Sequence, residues 1–331
     1  MSIRNVFVVT VTYGNRFNLL KQVIDSALME GVDKVIVVDN NSVSESKDKL
    51  REYEKMLGDK KIKVLYLDDN YGSAGGYKRG LEEAYKDIES EYILLLDDDT
   101  IISKNSLRKA SLILDYLEMN KSEVMLGFLR PQRYTDKMVL EKGFIKKYKY
   151  NNFIGINLFD LLINKLIKND DKYFIKYFPL VPAEISAWGG LFFHKNVIKK
   201  NGYPREDLIV YADDHEYTYR FTKNGGKLFI CSNIIINDID STTELPSGKK
   251  IGYFDKEFSE LKLYYQVRNH TYFSKHFIKN KYYFYINLFI YLILVTKNIF
   301  FKQKKIFFKR YKLVLKAIKD GINENLGKVN I

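Results

Sequence analysis

Tyr92-Ile-Leu-Leu-Leu-Asp-Asp-Asp-Thr100 drives an unbroken apolar run straight into three carboxylates. A short continuous apolar run that ends in polar residues reads as a strand buried on both faces. The pattern has antecedents in Asn5-Val-Phe-Val-Val-Thr-Val-Thr12, Lys34-Val-Ile-Val-Val-Asp39 and Ile62-Lys-Val-Leu-Tyr-Leu67. Between these runs the apolar spacing predicts helices over 18–30, 46–57 and 74–86. Alternation of this kind builds an α/β fold on a parallel sheet with right-handed crossovers. Ligands of such sheets bind outside the carboxyl ends of the strands. Here those ends carry Thr12-Tyr13, Asp39-Asn40-Asn41, Asn70-Tyr71-Gly72 and Asp97-Asp98-Asp99, so polar residues collect at one rim.

Downstream the alternation weakens. Residues 103–119 read as a helix, and 127–147 read as strands that extend the sheet; 151–177 resembles an insertion. Apolar runs return at Ala187-Trp-Gly-Gly-Leu-Phe-Phe193 and Lys227-Leu-Phe-Ile-Cys231, bracketing a helix over 213–224. The 331 residues are 46% hydrophobic and 29% charged, which supports a sizeable core and excludes both a disordered chain and a disulfide-stapled miniprotein. A single cysteine, Cys231, forms neither an internal disulfide nor a thiolate zinc site. With no signal peptide ahead of the first apolar run, a reducing cytoplasmic setting is expected.

The net charge of +13 is unevenly spread. Residues 277–331 hold 12 Lys/Arg against 2 Asp/Glu, a net +10, and the preceding residues hold 42 against 39, a net +3. The division expected from this is a domain over 1–276 and a basic, aromatic helical region over 277–331. Within the tail, 282–296 is uncharged but shorter than the roughly 20 residues that span a bilayer. Phe300, Phe307, Tyr311, Val314 and Ile318 then fall at helical spacing among Lys304, Lys305, Lys309, Lys312 and Lys316. A basic amphipathic helix of this kind fits peripheral binding to anionic lipid. A helical hairpin packed on its own domain or on a second subunit, as in a homo-oligomer, is the alternative.

Several positions at the rim have functional and structural readings side by side. Asp97 and Asp99 point the same way on an extended segment and can share one hard divalent cation, while Asp98 turns elsewhere. Asp39 can accept from a ribose or base, with Asn40 beside it, or simply form an Asx-turn. Asn70-Tyr-Gly-Ser-Ala-Gly-Gly-Tyr-Lys-Arg-Gly80 opens a helix; Gly75 and Gly76 let a ligand approach and Lys78 or Arg79 adds charge, or else the glycines serve close packing. It lacks the order of a P-loop. Asp213-Asp214-His215-Glu216 starts another helix, where one carboxylate can act as general base or the cluster can satisfy the helix dipole. Trp188, beside Gly189 and Gly190, can stack on a sugar or pack in the core. Arg268, beside Asn269, can reach a phosphate or tie the tail down. No histidine pattern of a zinc hydrolase is present.

Taken in order, Val9-Thr-Val-Thr-Tyr13 with Arg16, Val37-Val-Asp-Asn-Asn-Ser42, Asn70-Tyr-Gly-Ser-Ala-Gly-Gly76, Leu96-Asp-Asp-Asp-Thr100, Ala187-Trp-Gly-Gly190, Tyr211-Ala-Asp-Asp-His-Glu216 with Arg220, and Val267-Arg-Asn269 resemble the inverting family 2 glycosyltransferases. That resemblance implies the GT-A nucleotide-sugar-binding fold, a Rossmann-like mixed sheet flanked by helices. The third-loop glycines, triple aspartate and Asp-Asp-x-Glu segment are most similar to galactofuranosyltransferases, which use UDP-galactofuranose. Rhamnosyltransferases, using dTDP-rhamnose, are near neighbours. By resemblance, Asp97 and Asp99 hold Mn²⁺ or Mg²⁺, and Asp214 is the base. Asp213, His215, Glu216 and Trp188 border the acceptor, and Thr12, Tyr13, Arg16, Asp39, Asn40, Asn70, Gly75, Gly76, Arg79 and Asp98 line the nucleotide sugar. The family often supplies a metal-binding histidine after the strand that follows the Asp-Asp-x-Glu helix. Ile234-Ile-Ile-Asn237-Asp238 stands there instead, so either Asn237 or Asp238 substitutes or the third contact is missing.

The expected partners are therefore a UDP- or dTDP-sugar donor and a glycan acceptor, lipid-linked, met at the inner face of the cytoplasmic membrane. Two other classes fit less well. A nucleotidyltransferase needs a glycine-rich basic loop after the first strand, where this chain has Thr12-Tyr-Gly-Asn-Arg16. A nucleic-acid-binding protein would use the +13, but most of that charge sits in the tail.

Overall fold

The computed structural model describes residues 5–117, 119–131, 153–154, 156, 180–240, 258–277, 280–301 and 304–329. The chain folds into two compact units. The first comprises Met1–Lys147, Phe174–Glu206 and Asp214–Ser241; the second comprises Tyr148–Tyr173, Asp207–Asp213 and Thr242–Ile331. This differs from a single cut at 276, because residues 258–276 go with the tail.

In the first unit, β1 (Val6–Thr12), β2 (Lys34–Asp39), β3 (Ile62–Tyr66) and β4 (Tyr92–Asp97) form where the apolar runs place them. Helices α1 (Phe17–Met29), α2 (Ser44–Leu57) and α3 (Gly72–Lys86) alternate with them. Side chains go to the two faces of the sheet with period two. Val6, Val8, Val35, Val37, Leu94 and Leu96 join one apolar cluster with Leu20, Val23 and Ile24 of α1. Phe7, Val9, Ile36, Ile93 and Leu95 join another with Tyr77, Leu81 and Ala84 of α3. Both faces are therefore covered, which explains the continuous apolar sequence.

The chain continues through β5 (Thr100–Ile102), α4 (Ser106–Leu117), β6 (Val124–Leu129), β7 (Leu180–Ala183), β8 (Leu191–His194), α5 (Val197–Asn201), α6 (Asp213–Lys223) and β9 (Lys227–Asp238). The strand order is β3-β2-β1-β4-β8-β6-β9-β5, with β7 paired to β9. Pairs β3–β2, β2–β1 and β1–β4 are parallel, whereas β8 is antiparallel to both β4 and β6, making the sheet mixed. Two antiparallel steps restore direction, and β9 runs parallel to β6. Hence β4, β6 and β9 all end at one rim. The order also reverses between β1 and β4, and such a switch point opens a crevice at the strand ends. The strands expected over 127–147 lie outside the described residues beyond 131, as does most of 151–177.

In the second unit, α7 (Glu260–His276), α8 (Lys281–Phe301) and α9 (Lys304–Ile322) pack around Leu263, Tyr264, Val267, Phe284, Leu313, Val314, Ala317 and Ile318. Gly321 permits a close approach, since a Cβ there would meet the Arg268 carbonyl and the Thr271 side chain. Two residues of the apolar stripe expected to face lipid, Val314 and Ile318, are instead buried in this cluster, Tyr311 is half-buried, and the side chains of Phe300 and Phe307 lie outside what is described. Among the described residues no helix is long and apolar enough to cross a membrane.

Candidate active site

The β1–β4 register pairs Val11 with Asp97, bringing Thr12 beside Asp98 across the switch point. Thr12 Oγ1 donates to Asp98 Oδ2 at 2.8 Å. Arg16, at the start of α1, donates through Nε to Asp98 at 2.9 Å, through Nη2 to Asp99 at 2.8 Å and through Nη1 to Asp240 at 2.7 Å. On the opposite side, Arg130 follows β6 and donates to Asp97 Oδ2 at 2.9 Å, with Asp238 Oδ1 3.1 Å from its Nη1. Tyr77 Oη lies 3.0 Å from Asp97 Oδ1, and Thr100 Oγ1 lies 3.2 Å from Asp238 Oδ1. Five carboxylates are thereby gathered around two guanidiniums.

Charge crowding marks this cluster. Burial, reinforced by Asp97 and Asp98, pushes the Asp99 carboxyl up to about 6. Burial likewise raises Asp98, although Arg16 and Thr12 oppose it. Arg130 is buried, which works against its charge, yet Asp97 and Asp238 hold it protonated beyond its ordinary range. Gly189 is required beside this pair, because a Cβ would collide with the Arg130 guanidinium and approach Asp97 Oδ2 to 2.6 Å.

The end of β2 supplies a different feature. Asp39 is fully buried; its Oδ1 accepts from Ser42 N–H at 3.0 Å, while Oδ2 has no hydrogen-bond partner among the described residues and Lys47 Nζ stands 3.8 Å away. Among the same residues the buried Ser42 hydroxyl has no partner either. Buried polar atoms are normally satisfied by protein, water or ligand. Tyr13 is 45% exposed, and the Arg16 guanidinium lies 5.7 Å from its ring centroid.

Other expected site residues have structural duties. Asn40 accepts from Tyr71 N–H and donates to Asn70 Oδ1 and the Gly72 carbonyl, while Asn70 Oδ1 also accepts from Gly72 N–H. This pair clamps the β3–α3 turn rather than offering free amides. A Cβ at Gly76 would lie 2.5 Å from Val11, and one at Gly75 would lie 2.7 Å from Tyr71, so the glycines seat α3 on β1 and close its first turn. Arg79 stacks on Tyr71 at 3.9 Å and pairs with Glu206, which Lys78 also engages. Trp188 is only 4% exposed and packs between Tyr77 and Tyr217, with ring centroids 5.0 and 5.2 Å away. Glu216 is committed to Arg220, whose Nε donates to it at 2.9 Å. At the opening of α6, Asp213 is buried and Asp214 is partly exposed, its Oδ1 accepting from His215 N–H at 2.8 Å, with His215 also partly exposed.

Asp238, not Asn237, joins the acidic cluster through Arg130 and Thr100. Sequence patterns do not single out Arg130 or Asp240. They lie in segments far apart in sequence, and only the shared direction of β6, β9 and β4 brings them together. Among the described residues no group of three His, Cys, Asp or Glu side chains stands ready to hold a metal. The second unit contains its own constrained segment. Ile209, Tyr211 and Ala212 have φ of 66°, 67° and 59°, and Asn269 Nδ2 donates to the carbonyls of Leu208, Val210 and Tyr211. Left-handed backbone at a β-branched residue needs such support. Arg268, fully buried, donates to the carbonyls of Asp207 and Gly327, tying the tail to this loop.

Residues 7–162 match the family described as Glycosyl transferase family 2. The chain is 32% identical over 106 residues to glycosyltransferase TuaG of Bacillus subtilis (strain 168), a protein assigned to teichuronic acid biosynthesis; the match covers 31% of this chain and 39% of that one. It is 30% identical over 115 residues to galactofuranosyltransferase GlfT2 of Mycolicibacterium smegmatis, covering 33% of this chain and 17% of that one. The chain thus spans well under half the length of these relatives. Among solved structures, GalNAc-T7 with UDP, GalNAc and Mn²⁺ is similar with a TM-score of 0.60 at 13% identity, over 97% of this chain and 56% of that one. The GT-A fold is the one this chain has.

Proposed function

We propose that this chain, built on a family 2 glycosyltransferase domain, is a metal-dependent inverting glycosyltransferase. In this reading it moves galactofuranose from UDP-galactofuranose onto a hydroxyl of a growing, lipid-linked bacterial surface glycan at the cytoplasmic membrane face. The observation that carries it is the buried Asp39 carboxylate, one oxygen of which has no hydrogen-bond donor among the described residues, on the same sheet rim as the Asp97–Asp99 cluster. One accepts from a nucleoside; the other meets a diphosphate. The identity to a galactofuranosyltransferase supports the choice of sugar.

Asp97, Asp99 and Asp238 carry the carboxylate oxygens that a hard cation takes, although here they are paired with Arg16 and Arg130 rather than arranged as a metal site. Those carboxylates would hold Mn²⁺ or Mg²⁺, with Asp97 and Asp238 released from Arg130. When bound, the ion supplies positive charge against the leaving diphosphate. Arg16 and Arg130 add fixed positive charge at the same rim. Thr12 keeps Asp98 turned toward Arg16. Asp214, oriented by the His215 N–H, takes the proton from the acceptor hydroxyl as it attacks the anomeric carbon from the face opposite the diphosphate.

A panel of UDP- and dTDP-sugars with Mn²⁺ tests the reading, scored by thermal protection and by donor consumption. UDP-galactofuranose is expected to protect and be consumed. Protection by dTDP-rhamnose alone would move the assignment to rhamnosyl transfer. Indifference to every nucleotide sugar, with consumption of a nucleoside triphosphate and a sugar phosphate, would replace it with nucleotidyl transfer.

A further inference from the structure

Helix α8 is apolar on two adjoining faces, and among the described residues only one is covered. Phe284, Leu288, Tyr291 and Leu292 face the core of the second unit, with Val295 buried on the same side. On the other face Tyr282 is 70% exposed, Tyr285 51%, Ile286 40%, Phe289 64% and Ile293 50%. At 100° per residue these five fall on a stripe about 100° wide, which is the geometry of a second packing face. Exposed aromatic and aliphatic side chains in a contiguous stripe mark an interaction surface.

Charge identifies the occupant. The stripe is bracketed by exposed Lys281 and Lys297, and the outer face of α9 presents exposed Lys309, Lys312, Lys316 and Lys319. Thr296 Oγ1 lies 3.3 Å from Tyr311 Oη, so the two helices are neighbours within this unit. Residues 277–331 carry 12 basic against 2 acidic side chains. A second copy seated symmetrically on this face would bring two such charges together, which opposes self-association. A surface that is negative outside and apolar beneath satisfies both features. Tyr and Phe also suit the boundary between headgroup and acyl chain.

We infer that the outward face of α8 lies in the surface of an anionic lipid bilayer, with the α9 lysines against the headgroups. The helix lies in the plane rather than crossing it. This deepens the membrane contact of the proposed function and rests on that reading for its setting. Of the basic amphipathic stripe read from the sequence, Val314 and Ile318 are buried in the core of this unit and so are not available for insertion.

The full chain is co-sedimented with phosphatidylcholine vesicles, with and without phosphatidylglycerol, at low and high salt. Binding is expected with phosphatidylglycerol and is weakened by salt. Phe289→Ser with Ile293→Ser should lose roughly tenfold or more in partitioning, as two buried apolar side chains are removed. Their exposure predicts an unchanged melting temperature. Should that variant misfold, Phe289→Trp reports instead: brominated lipid should quench its fluorescence above the Trp188 background. Failure of the parent to bind, unchanged binding of the double variant, or no quenching at position 289 overturns the inference. A lipid-free dimer that the double variant dissociates overturns it in favour of a second copy. Sugar transfer enters none of these measurements, so this inference and the proposed function fail separately.

Discussion

Arg16 and Arg130 change the meaning of the three consecutive aspartates. The acidic rim is not a bare cluster waiting for a cation but an ion-pair network in which each carboxylate has a guanidinium partner or neighbour. Asp99 is the strained member, with its carboxyl pushed up to about 6. A carboxyl raised in the folded state binds its proton more tightly there than in the unfolded chain, so it costs stability above pH 6 and relieves that cost as pH falls. Without added metal, Asp99→Asn should therefore raise stability at pH 7 by on the order of 1–3 kcal/mol, with the gain shrinking between pH 6 and pH 4. A melting series over pH checks it. Asp39→Asn keeps the oxygen that accepts from Ser42 N–H but replaces the oxygen left unpartnered. We expect roughly 10- to 100-fold weaker UDP binding by calorimetry, the size of a hydrogen bond to a charged group, with the melting temperature measured alongside to separate loss of the Lys47 contact. Asp214→Asn should cut sugar transfer by about 10²- to 10⁴-fold while leaving that UDP affinity within a few-fold of the parent.

At the scale of elements, the decisive contact is α3 against β1. A Cβ at Gly80 would collide with Val9, and one at Gly76 would press on Val11, so the helix lies almost on the strand backbone. Alanine is the better helix former, by about 1 kcal/mol. Here Val9 is fully buried and closely packed, so that gain is overrun. Gly80→Ala should lower the melting temperature by several degrees, with overpacking costing about 1–3 kcal/mol. The same geometry gives Gly76 the close-packing use that the sequence offered as the alternative to ligand approach. The alternation from β1 to β4 was legible from apolar periodicity, whereas the short β5, β7 and α5 were not. Nor was the use of each glycine, because a missing Cβ records closeness without recording what comes close.

For the whole molecule, the division into units falls where packing, not charge, puts it. Helix α7 belongs with α9: Tyr264 donates to Asp320, Lys309 pairs with Glu260, and Arg268 holds the Gly327 carbonyl. A chain ended at 276 would leave Leu263, Val267 and Tyr272 uncovered. We expect such a truncation to aggregate or to be cleaved rapidly within 258–276 under limited proteolysis, whereas a stable fragment of normal solubility would restore the boundary at 276. The unused face of α8 is visible at this scale alone, since its uniformly apolar sequence does not say which side is covered.

The sequence by itself determined the α/β alternation, the rim at which Thr12, Asp39 and Asp97–Asp99 gather, and the excess charge of the tail. Each is written in local order, as a period of two or 3.6 residues ending in a polar group or as a run of like charge. Only the tertiary structure decided that Arg130, Asp238 and Asp240 join the Asp97–Asp99 cluster, that Trp188 packs between Tyr77 and Tyr217 while Glu216 pairs with Arg220, and that α9 buries Val314 and Ile318. Those outcomes depend on strand order and on helices packing across long sequence separations. A one-dimensional pattern records which side chains are apolar, acidic or small; the fold alone chooses their neighbours.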